Sequence, residues 1–109
     1  MAFDAQLDTT SQSGTAIITL TGQLDAASAP VFRTAIENAA GAHPSKLVLM
    51  MSALDYMASA GLRALVFAKQ KMGASTDIYV IGAQESVAET IEMTGFHHSV
   101  VMQAEYQPA

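Results

Sequence analysis

The sequence predicts a single α/β domain in which a mixed β-sheet begins with an antiparallel hairpin and carries helices packed on it. Two observations indicate this fold class. Apolar and polar residues alternate in two segments near the N-terminus, whereas later segments form continuous apolar runs separated by stretches of helical periodicity. The length of 109 residues is that of one domain with one core, so residues 1–109 are treated as a single unit.

The first two strands are predicted from alternation. In residues 1–8, Phe3, Ala5 and Leu7 share one face, which indicates a half-buried edge strand. A polar turn over residues 9–14 follows, and the alternation resumes over residues 15–21. Because the turn is short, we expect the two strands to pair antiparallel, with the second one ending at the segment 22–25.

A helix is predicted next. Ser28 or Ala29 caps it, Pro30 lies in its first turn, and Gly41 is its expected stop. The apolar residues that recur at helical spacing in this segment are Phe32, Ala35, Ile36 and Ala39.

The middle of the chain predicts a strand and a second helix. The continuous apolar run over residues 47–51 is typical of a strand that is covered on both faces. After a loop over residues 52–58, a helix runs from Ser59 to its stop at Gly73. Its apolar stripe consists of Leu62, Leu65, Val66 and Met72.

The last part of the chain repeats this alternation. Residues 77–81 predict a second buried strand, and a third helix is expected over 84–94 with its stop at Gly95. A short final strand is expected over residues 99–102, and residues 104–109 are expected to form a frayed tail. The predicted order is therefore β-β-α-β-α-β-α-β.

Composition excludes several classes of function. The chain has no cysteine, which removes disulfide frameworks, thiolate metal sites and thiol nucleophiles. Five basic against ten acidic residues give a net charge of −5, and an acidic domain repels phosphate backbones, so nucleic acid is not an expected partner. No apolar run approaches the ~20 residues of a membrane span, and the N-terminus lacks the features of a signal peptide. We therefore expect a cytoplasmic protein without a membrane partner.

Few residues suggest catalysis or metal binding. His43 precedes a proline in a loop, and the adjacent His97 and His98 would face opposite sides of a strand, so all three are expected to be surface residues. A solvated acidic face is expected for the carboxylates of the third helix, which are Glu85, Glu89 and Glu92. The sequence contains no Walker-type loop, dinucleotide-binding loop or nucleophile elbow. We expect no enzymatic activity, no metal and no cofactor.

One segment combines features of a regulatory site. Residues 55–63 lead from a buried strand into a helix, with Ser59 at the expected N-cap and Gly61 in the first turn. A helix N-terminus offers free N–H groups and a positive dipole end, which would stabilise a phosphate on Ser59. Arg63 lies one turn further along the same face and could pair with that phosphate. On spacing alone, the simpler interpretation of Ser59 as an N-cap worth about 1 kcal/mol is favoured.

Two motifs resemble those of the anti-sigma factor antagonists, whose fold is the STAS domain. Residues 21–30 resemble that family's Gly-Glu-Leu-Asp turn and the start of its first helix. Residues 56–63 resemble its Asp-Ser-Ser-Gly-Leu-Arg loop and the start of its second helix, and the Gly-Phe pair at 95–96 also fits. The resemblance spans residues 15–101. Because both motifs occur at the expected separation, the chain is identified as a member of this family.

The resemblance implies a protein that switches between partners. In the family, the serine of this loop is phosphorylated by a partner of the small ATPase-kinase type that is also the anti-sigma factor. The unmodified protein binds that partner and frees the sigma factor, the phosphorylated protein releases it, and a PP2C-type phosphatase resets the cycle. The phosphoacceptor falls on Ser59, and Asp25 falls on an aspartate near the loop. The implied partner-binding residues are Asp25, Ala58, Ser59, Ala60, Gly61 and Arg63.

The sequence departs from the family pattern at three positions. Gln23 replaces the glutamate of the first motif, Met50 the aspartate at the end of the third strand, and Ala58 the aspartate before the phosphoacceptor. All three changes remove negative charge that we expect to lie near Ser59. A second hypothesis therefore stays open, in which the chain is a constitutive STAS binding module of a transporter or other complex, without a phosphorylation cycle. In either case we expect a monomer or a weak dimer.

Overall fold

The structure is a computed structural model, and it describes residues 3–11 and 13–106. The strands are β1 (Asp4–Asp8), β2 (Thr15–Leu24), β3 (Lys46–Met57), β4 (Asp77–Ile81) and β5 (Val101–Gln103). The helices are α1 (Ala29–Ala40), α2 (Ser59–Met72) and α3 (Glu85–Met93), and a 3₁₀ turn, Phe96–His98, precedes β5. The predicted order of elements is confirmed, with this 3₁₀ turn in addition. None of these helices has the length and hydropathy that a bilayer span requires.

The strands lie side by side in chain order from β1 to β5. β1 pairs antiparallel with β2, whereas β2, β3, β4 and β5 pair parallel with one another. The hairpin and the mixed sheet predicted from the sequence are thus confirmed. Because crossovers between parallel neighbours are right-handed, the three helices lie on one face of the sheet.

The core fills the layer between the sheet and the helices. Ile18 of β2, Leu49 of β3 and Val80 of β4 are fully buried there, together with Phe32 of α1 and Leu65 of α2. Burying a side chain of this size contributes roughly 1.5–3 kcal/mol. This layer fixes α2 against the sheet and so determines where its first residue, Ser59, emerges.

Two strands run further than the sequence predicts. β2 continues through the expected break to Leu24, and β3 continues through the expected loop over 52–58 as far as Met57. The pairing of β2 with β3 contains two bulges, and in each of them β3 carries one extra residue. The first lies opposite the step from Thr19 to Thr21, and the second lies opposite the step from Gly22 to Gln23. Such bulges interrupt the alternation by which a strand is predicted. The buried residues in this part of β3 are Met51, Leu54 and Met57, spaced by three instead of two.

The segment before β5 also differs from its prediction. His97 and His98 lie in the 3₁₀ turn, with their ring centroids 3.9 Å apart, so they do not face opposite sides of a strand. Ser99 caps this turn, which delays the final strand to Val101. Within the described residues, no group of three or more His, Cys, Asp or Glu side chains could hold a metal ion.

One aromatic side chain after β5 contacts the sheet. The ring of Tyr106 packs edge-on against Tyr79 of β4, with the ring centroids 6.2 Å apart. The Lys46 ammonium lies 5.5 Å from the centroid of the same Tyr79 ring. The expectation that residues 104–109 form a frayed tail stays a prediction, and residues 107–109 lie outside the described part of the chain.

Candidate functional site

The two sequence motifs meet where β2 and β3 end and α2 begins. Leu24 and Met57, the last residues of the two strands, are direct partners in the parallel pair. The N–H of Ala58 then donates a hydrogen bond of 2.8 Å to the carbonyl oxygen of Leu24. This bond holds the start of α2 beside Asp25, which follows Leu24 directly. The motifs therefore share the carboxyl edge of the parallel strands, where α/β proteins place their binding sites.

Ser59 is the first residue of α2 and not its N-cap, which corrects the prediction. The N-cap is Ala58, whose backbone is extended with φ −83° and ψ 172°. Because alanine has no acceptor atom, no side chain among the described residues caps the first N–H groups of α2. The side chain of Ser59 is exposed. Its hydroxyl is therefore accessible to an enzyme and lies at the positive end of the helix dipole.

Arg63 lies one helical turn beyond Ser59 on the same face of α2. Its side chain is exposed, and it forms no ion pair or hydrogen bond with any of the described residues. Residues four apart on a helix are neighbours on its surface. The guanidinium is therefore free to bind an anion placed on Ser59 or a carboxylate of a partner.

Gly61 is buried and faces Leu24, so it presents no side chain to a partner. A Cβ atom at this position would lie 2.7 Å from Leu24 Cγ and 3.0 Å from Met57 Cγ. Because such distances are shorter than any ordinary contact, the first turn of α2 packs this closely on the strand ends only with glycine at position 61. Its role at the site is to let the helix approach.

Asp25 is tied to the start of α1. Its Oδ1 accepts hydrogen bonds from the Ser28 N–H at 3.0 Å and the Ser28 hydroxyl at 2.9 Å, while its own N–H donates to Ser28 Oγ at 2.9 Å. The bond from the Ser28 hydroxyl, followed by the one from its N–H, lowers the pKa of the Asp25 carboxyl from its usual value of 3.8. Asp25 is therefore a fixed negative charge next to the start of α2.

Comparison with known proteins supplies the family. A protein-family model described as the STAS domain matches residues 6–109. The chain belongs to the STAS domain family. This STAS domain is 26% identical over 83 residues to a Mycobacterium tuberculosis protein named anti-sigma-F factor antagonist RsfB. The alignment covers 76% of this chain and 68% of RsfB.

Solved structures share the fold of this STAS domain. An anti-sigma factor antagonist from Mycobacterium paratuberculosis superposes with a TM-score of 0.85 at 22% identity, covering 94% of this chain and 86% of that one. The Bacillus cell fate determinant SpoIIAA in its phosphorylated form superposes with a TM-score of 0.71 at 19% identity, covering 91% and 90%. At these identities the likeness establishes the fold.

The three departures from the family pattern occupy different places in this STAS domain. Ala58 is the N-cap of α2, and Gln23 is exposed one residue before the end of β2, opposite the half-exposed ring of Tyr56. Met50 instead lies within the sheet, paired with Thr19 and Ile81. A carboxylate at position 23 or 58 would lie at the site itself, so Gln23 and Ala58 make the site less negative, as expected. A carboxylate at position 50 would instead lie within the sheet.

Some contributors to the site carry no signal in the sequence. Ser28, which holds Asp25, was predicted only as a helix cap. The side chain of Gln84, just before α3, donates hydrogen bonds to the Ser52 carbonyl oxygen at 3.1 Å and to Asp55 Oδ1 at 3.4 Å, and so reaches the bulged part of β3. These partners lie far apart in the chain, and no periodicity or spacing connects them.

Acid titration should reveal the link between Asp25 and Ser28. Because the folded-state pKa of Asp25 is lowered, the stabilisation from its charged form is fully present above pH 3.8 and is lost as the pH falls through the lowered pKa. Ser28→Ala should raise the Asp25 pKa back toward 3.8, as measured by NMR titration of the carboxyl carbon.

Asp8 provides the control for this titration. Hydrogen bonds from the Ser11 side chain and from the Thr10 and Ser11 N–H groups lower its pKa to about 2. This value should be the same in the Ser28→Ala variant, because these partners lie in the β1–β2 turn. An Asp25 pKa that does not change in the variant would contradict the assignment of its cause to Ser28.

Proposed function

We propose that this STAS domain is an anti-sigma factor antagonist that switches partners through Ser59. The unmodified protein binds a serine kinase of the small ATPase type that is also the anti-sigma factor. The kinase transfers the γ-phosphoryl group of ATP to the Ser59 hydroxyl oxygen, with release of ADP and a proton. The phosphorylated protein dissociates, and a PP2C-type phosphatase hydrolyses the phosphoester with water. The name of RsfB and the phosphorylated form of SpoIIAA support this proposal.

The observation that carries the proposal is the position of Ser59. Its exposed side chain is the first of α2, and the N-cap residue Ala58 has no group that competes for the helix N–H donors. A phosphoserine carries about −1.5 to −2 charge at pH 7 and has three acceptor oxygens. Such a group at the first turn meets free donors and the positive dipole end, so the fold accommodates it.

The partner surface of this proposal surrounds Ser59. It includes the neighbouring Ala58 and Ala60, the fixed carboxylate of Asp25 on the adjacent strand end, and the exposed guanidinium of Arg63. Gly61 contributes by its close packing on Leu24 and not by a side chain. The acidic residues of α3 belong to a different helix, and we expect them to contribute less to binding.

A constitutive binding module is the second candidate function. Ala58 and Gln23 remove carboxylates at the site that could help a kinase position the serine hydroxyl, and this observation favours a domain that binds without a phosphorylation cycle. In that case the same surface would hold its partner permanently, and Ser59 would serve only as a surface residue.

Intact mass spectrometry separates these two functions. The protein is incubated with a candidate small ATPase-kinase and ATP, and we expect a mass increase of one phosphoryl group. Ser59→Ala should abolish the increase, although other exposed serines such as Ser52 and Ser86 remain. An increase that persists in Ser59→Ala would place the modification elsewhere. No increase with any kinase that binds the protein would favour the constitutive module.

A further inference from the structure

Charge is segregated between neighbouring helices. α2 carries three basic residues, Arg63, Lys69 and Lys71, and no acidic one. α3 carries three acidic residues, Glu85, Glu89 and Glu92, and no basic one. The whole chain has five basic residues and a net charge of −5, so most of its positive charge is concentrated on one helix.

The charges on α2 are not neutralised within the molecule. Over residues 3–11 and 13–106, none of its three cations forms an ion pair or hydrogen bond with a carboxylate, and the carboxylates of α3 have no basic partner. Cations that stabilise a fold through side-chain pairs would be found next to acidic neighbours. The positive charge of α2 is therefore available to a group outside the chain.

Four exposed residues of α2 form a continuous stripe, which we call the α2 stripe. It consists of Ser59, Arg63, Val66 and Gln70, all of which are exposed and spaced by four, three and four residues. These spacings place all four on one line along the helix, about 16 Å long at 1.5 Å rise per residue. Val66, with an exposed fraction of 36%, puts an apolar side chain at its centre, so its predicted place in the apolar stripe that faces the core is wrong. Lys69 and Lys71 flank its far end.

We infer that the α2 stripe is a docking surface for an acidic face of a partner protein, rich in aspartate and glutamate around a central apolar contact. The inference rests on the proposed function, because the stripe begins at Ser59. Beyond that function, the inference specifies the chemistry of the partner surface and the length of the contact. An apolar centre surrounded by charged residues is typical of protein interfaces. Nucleic acid is a poorer match, because the net charge of the chain is negative.

This charge pattern supplies a physical reason for release on phosphorylation. The unmodified stripe attracts a partner that carries carboxylates. A phosphate on Ser59 places about −1.5 to −2 charge at the head of the stripe, against those carboxylates. It also occupies Arg63, the nearest cation, which is then lost to the partner. Attraction is thus replaced by repulsion without a change in the fold.

The first test needs no kinase. Poly-L-glutamate is titrated into ¹⁵N-labelled protein at low ionic strength, and the amide shifts are followed. We expect the shifts to concentrate on residues 59–71 and to disappear in high salt, because salt screens exposed charges within about 10 Å at 0.1 M. Shifts that are absent, or no larger on α2 than elsewhere, would overturn the inference. The same holds if a DNA duplex, but not poly-L-glutamate, shifts these residues.

The second test uses the kinase identified by mass spectrometry and two matched glutamine variants. Gln70→Glu adds one negative charge to the stripe, and Gln103→Glu adds the same charge at the exposed end of β5. Placed about 4 Å from a partner carboxylate, the new charge at residue 70 should weaken kinase affinity by about five-fold at low salt. Gln103→Glu should leave the affinity unchanged, and Glu89→Lys on α3 should not weaken it.

The outcomes of the two tests separate the inference from the proposed function. One outcome would overturn the inference and leave the proposed function standing. In it, kinase binding depends on Ser59, but neither Gln70→Glu nor Gln103→Glu changes the affinity. Failure of every candidate kinase to bind would remove the proposed function, while the poly-L-glutamate titration would still decide whether α2 binds an acidic surface.

Discussion

Phosphorylation of Ser59 is expected to weaken kinase binding by roughly 5- to 150-fold, which corresponds to about 1–3 kcal/mol of coupling. The modified group lies within the proposed contact, where it must be desolvated or matched by positive charge that the partner lacks. The melting temperature should be equal or slightly higher, because a negative charge at a helix N-terminus stabilises by about 0.3–1 kcal/mol. Loss of affinity with an intact fold is the behaviour required of a switch.

The measurement compares kinase affinity and melting curves for the unmodified and phosphorylated proteins and three variants. Ser59→Ala should bind like the unmodified protein, and Ser59→Asp should bind weakly, although one carboxylate imitates a phosphate only in part. Arg63→Ala should reduce the difference between the unmodified and phosphorylated forms, because the phosphate then lacks its fixed partner. Equal affinities of the unmodified and phosphorylated forms would eliminate the switch and support the constitutive module.

Gly61→Ala is expected to lower the stability of the domain and to disturb the site with it. The new methyl group would lie 2.7 and 2.9 Å from the Cγ and Cδ2 atoms of Leu24. Overpacking of this kind costs about 1–3 kcal/mol. Alanine recovers up to about 1 kcal/mol through its better helix propensity, so the net effect is destabilising. We expect a drop in melting temperature of roughly 4 °C per kcal/mol in a domain of this size.

Gly41→Ala is the matched control for this substitution. Gly41 caps the end of α1 with an ordinary φ of −62°, and an added Cβ would come no closer than 3.4 Å to the Asn38 carbonyl oxygen. At such a position the change from glycine to alanine stabilises by about 0.4–1 kcal/mol, because it restricts the unfolded chain. The two alanine variants should therefore shift the melting temperature in opposite directions. A stabilised Gly61→Ala protein would show that α2 does not need its close approach to Leu24.

The sequence predicts the architecture well because most elements follow a simple period. Alternation identifies the hairpin, continuous apolar runs identify β3 and β4, and Gly73 and Gly95, both with positive φ, end α2 and α3 as expected. The ends of β2 and β3 are predicted wrongly because bulges interrupt the regular pattern there. Because of two extra residues in β3, the spacing of Met51, Leu54 and Met57 gives no indication of a strand.

The residues of the candidate site come from the resemblance, and their functional roles stay a prediction, whereas the geometry of the site comes from the structure. The resemblance placed Ser59, Asp25 and Arg63 together, and the structure brings their segments to one edge of the sheet. The bond from Ala58 to Leu24 that joins them is a main-chain contact between distant segments, which side-chain patterns do not encode. The start of α2 also differs by one residue from the expectation, because Ala58 is the N-cap and Ser59 is the first helical residue.

The antiparallel direction of β1 determines where a fusion tag or a label can be attached to this domain. Asp4 lies beside Thr21, so β1 begins toward the end of the sheet that carries Ser59, whereas Tyr106, which follows β5, packs back against Tyr79 in the middle of β4. A tag or fluorescent protein fused just before β1 would therefore approach the docking surface. The turn between β1 and β2 lies at the opposite end, where Ser13 is exposed. Because the chain contains no cysteine, Ser13→Cys would provide a single thiol for immobilisation or labelling that keeps the partner surface clear.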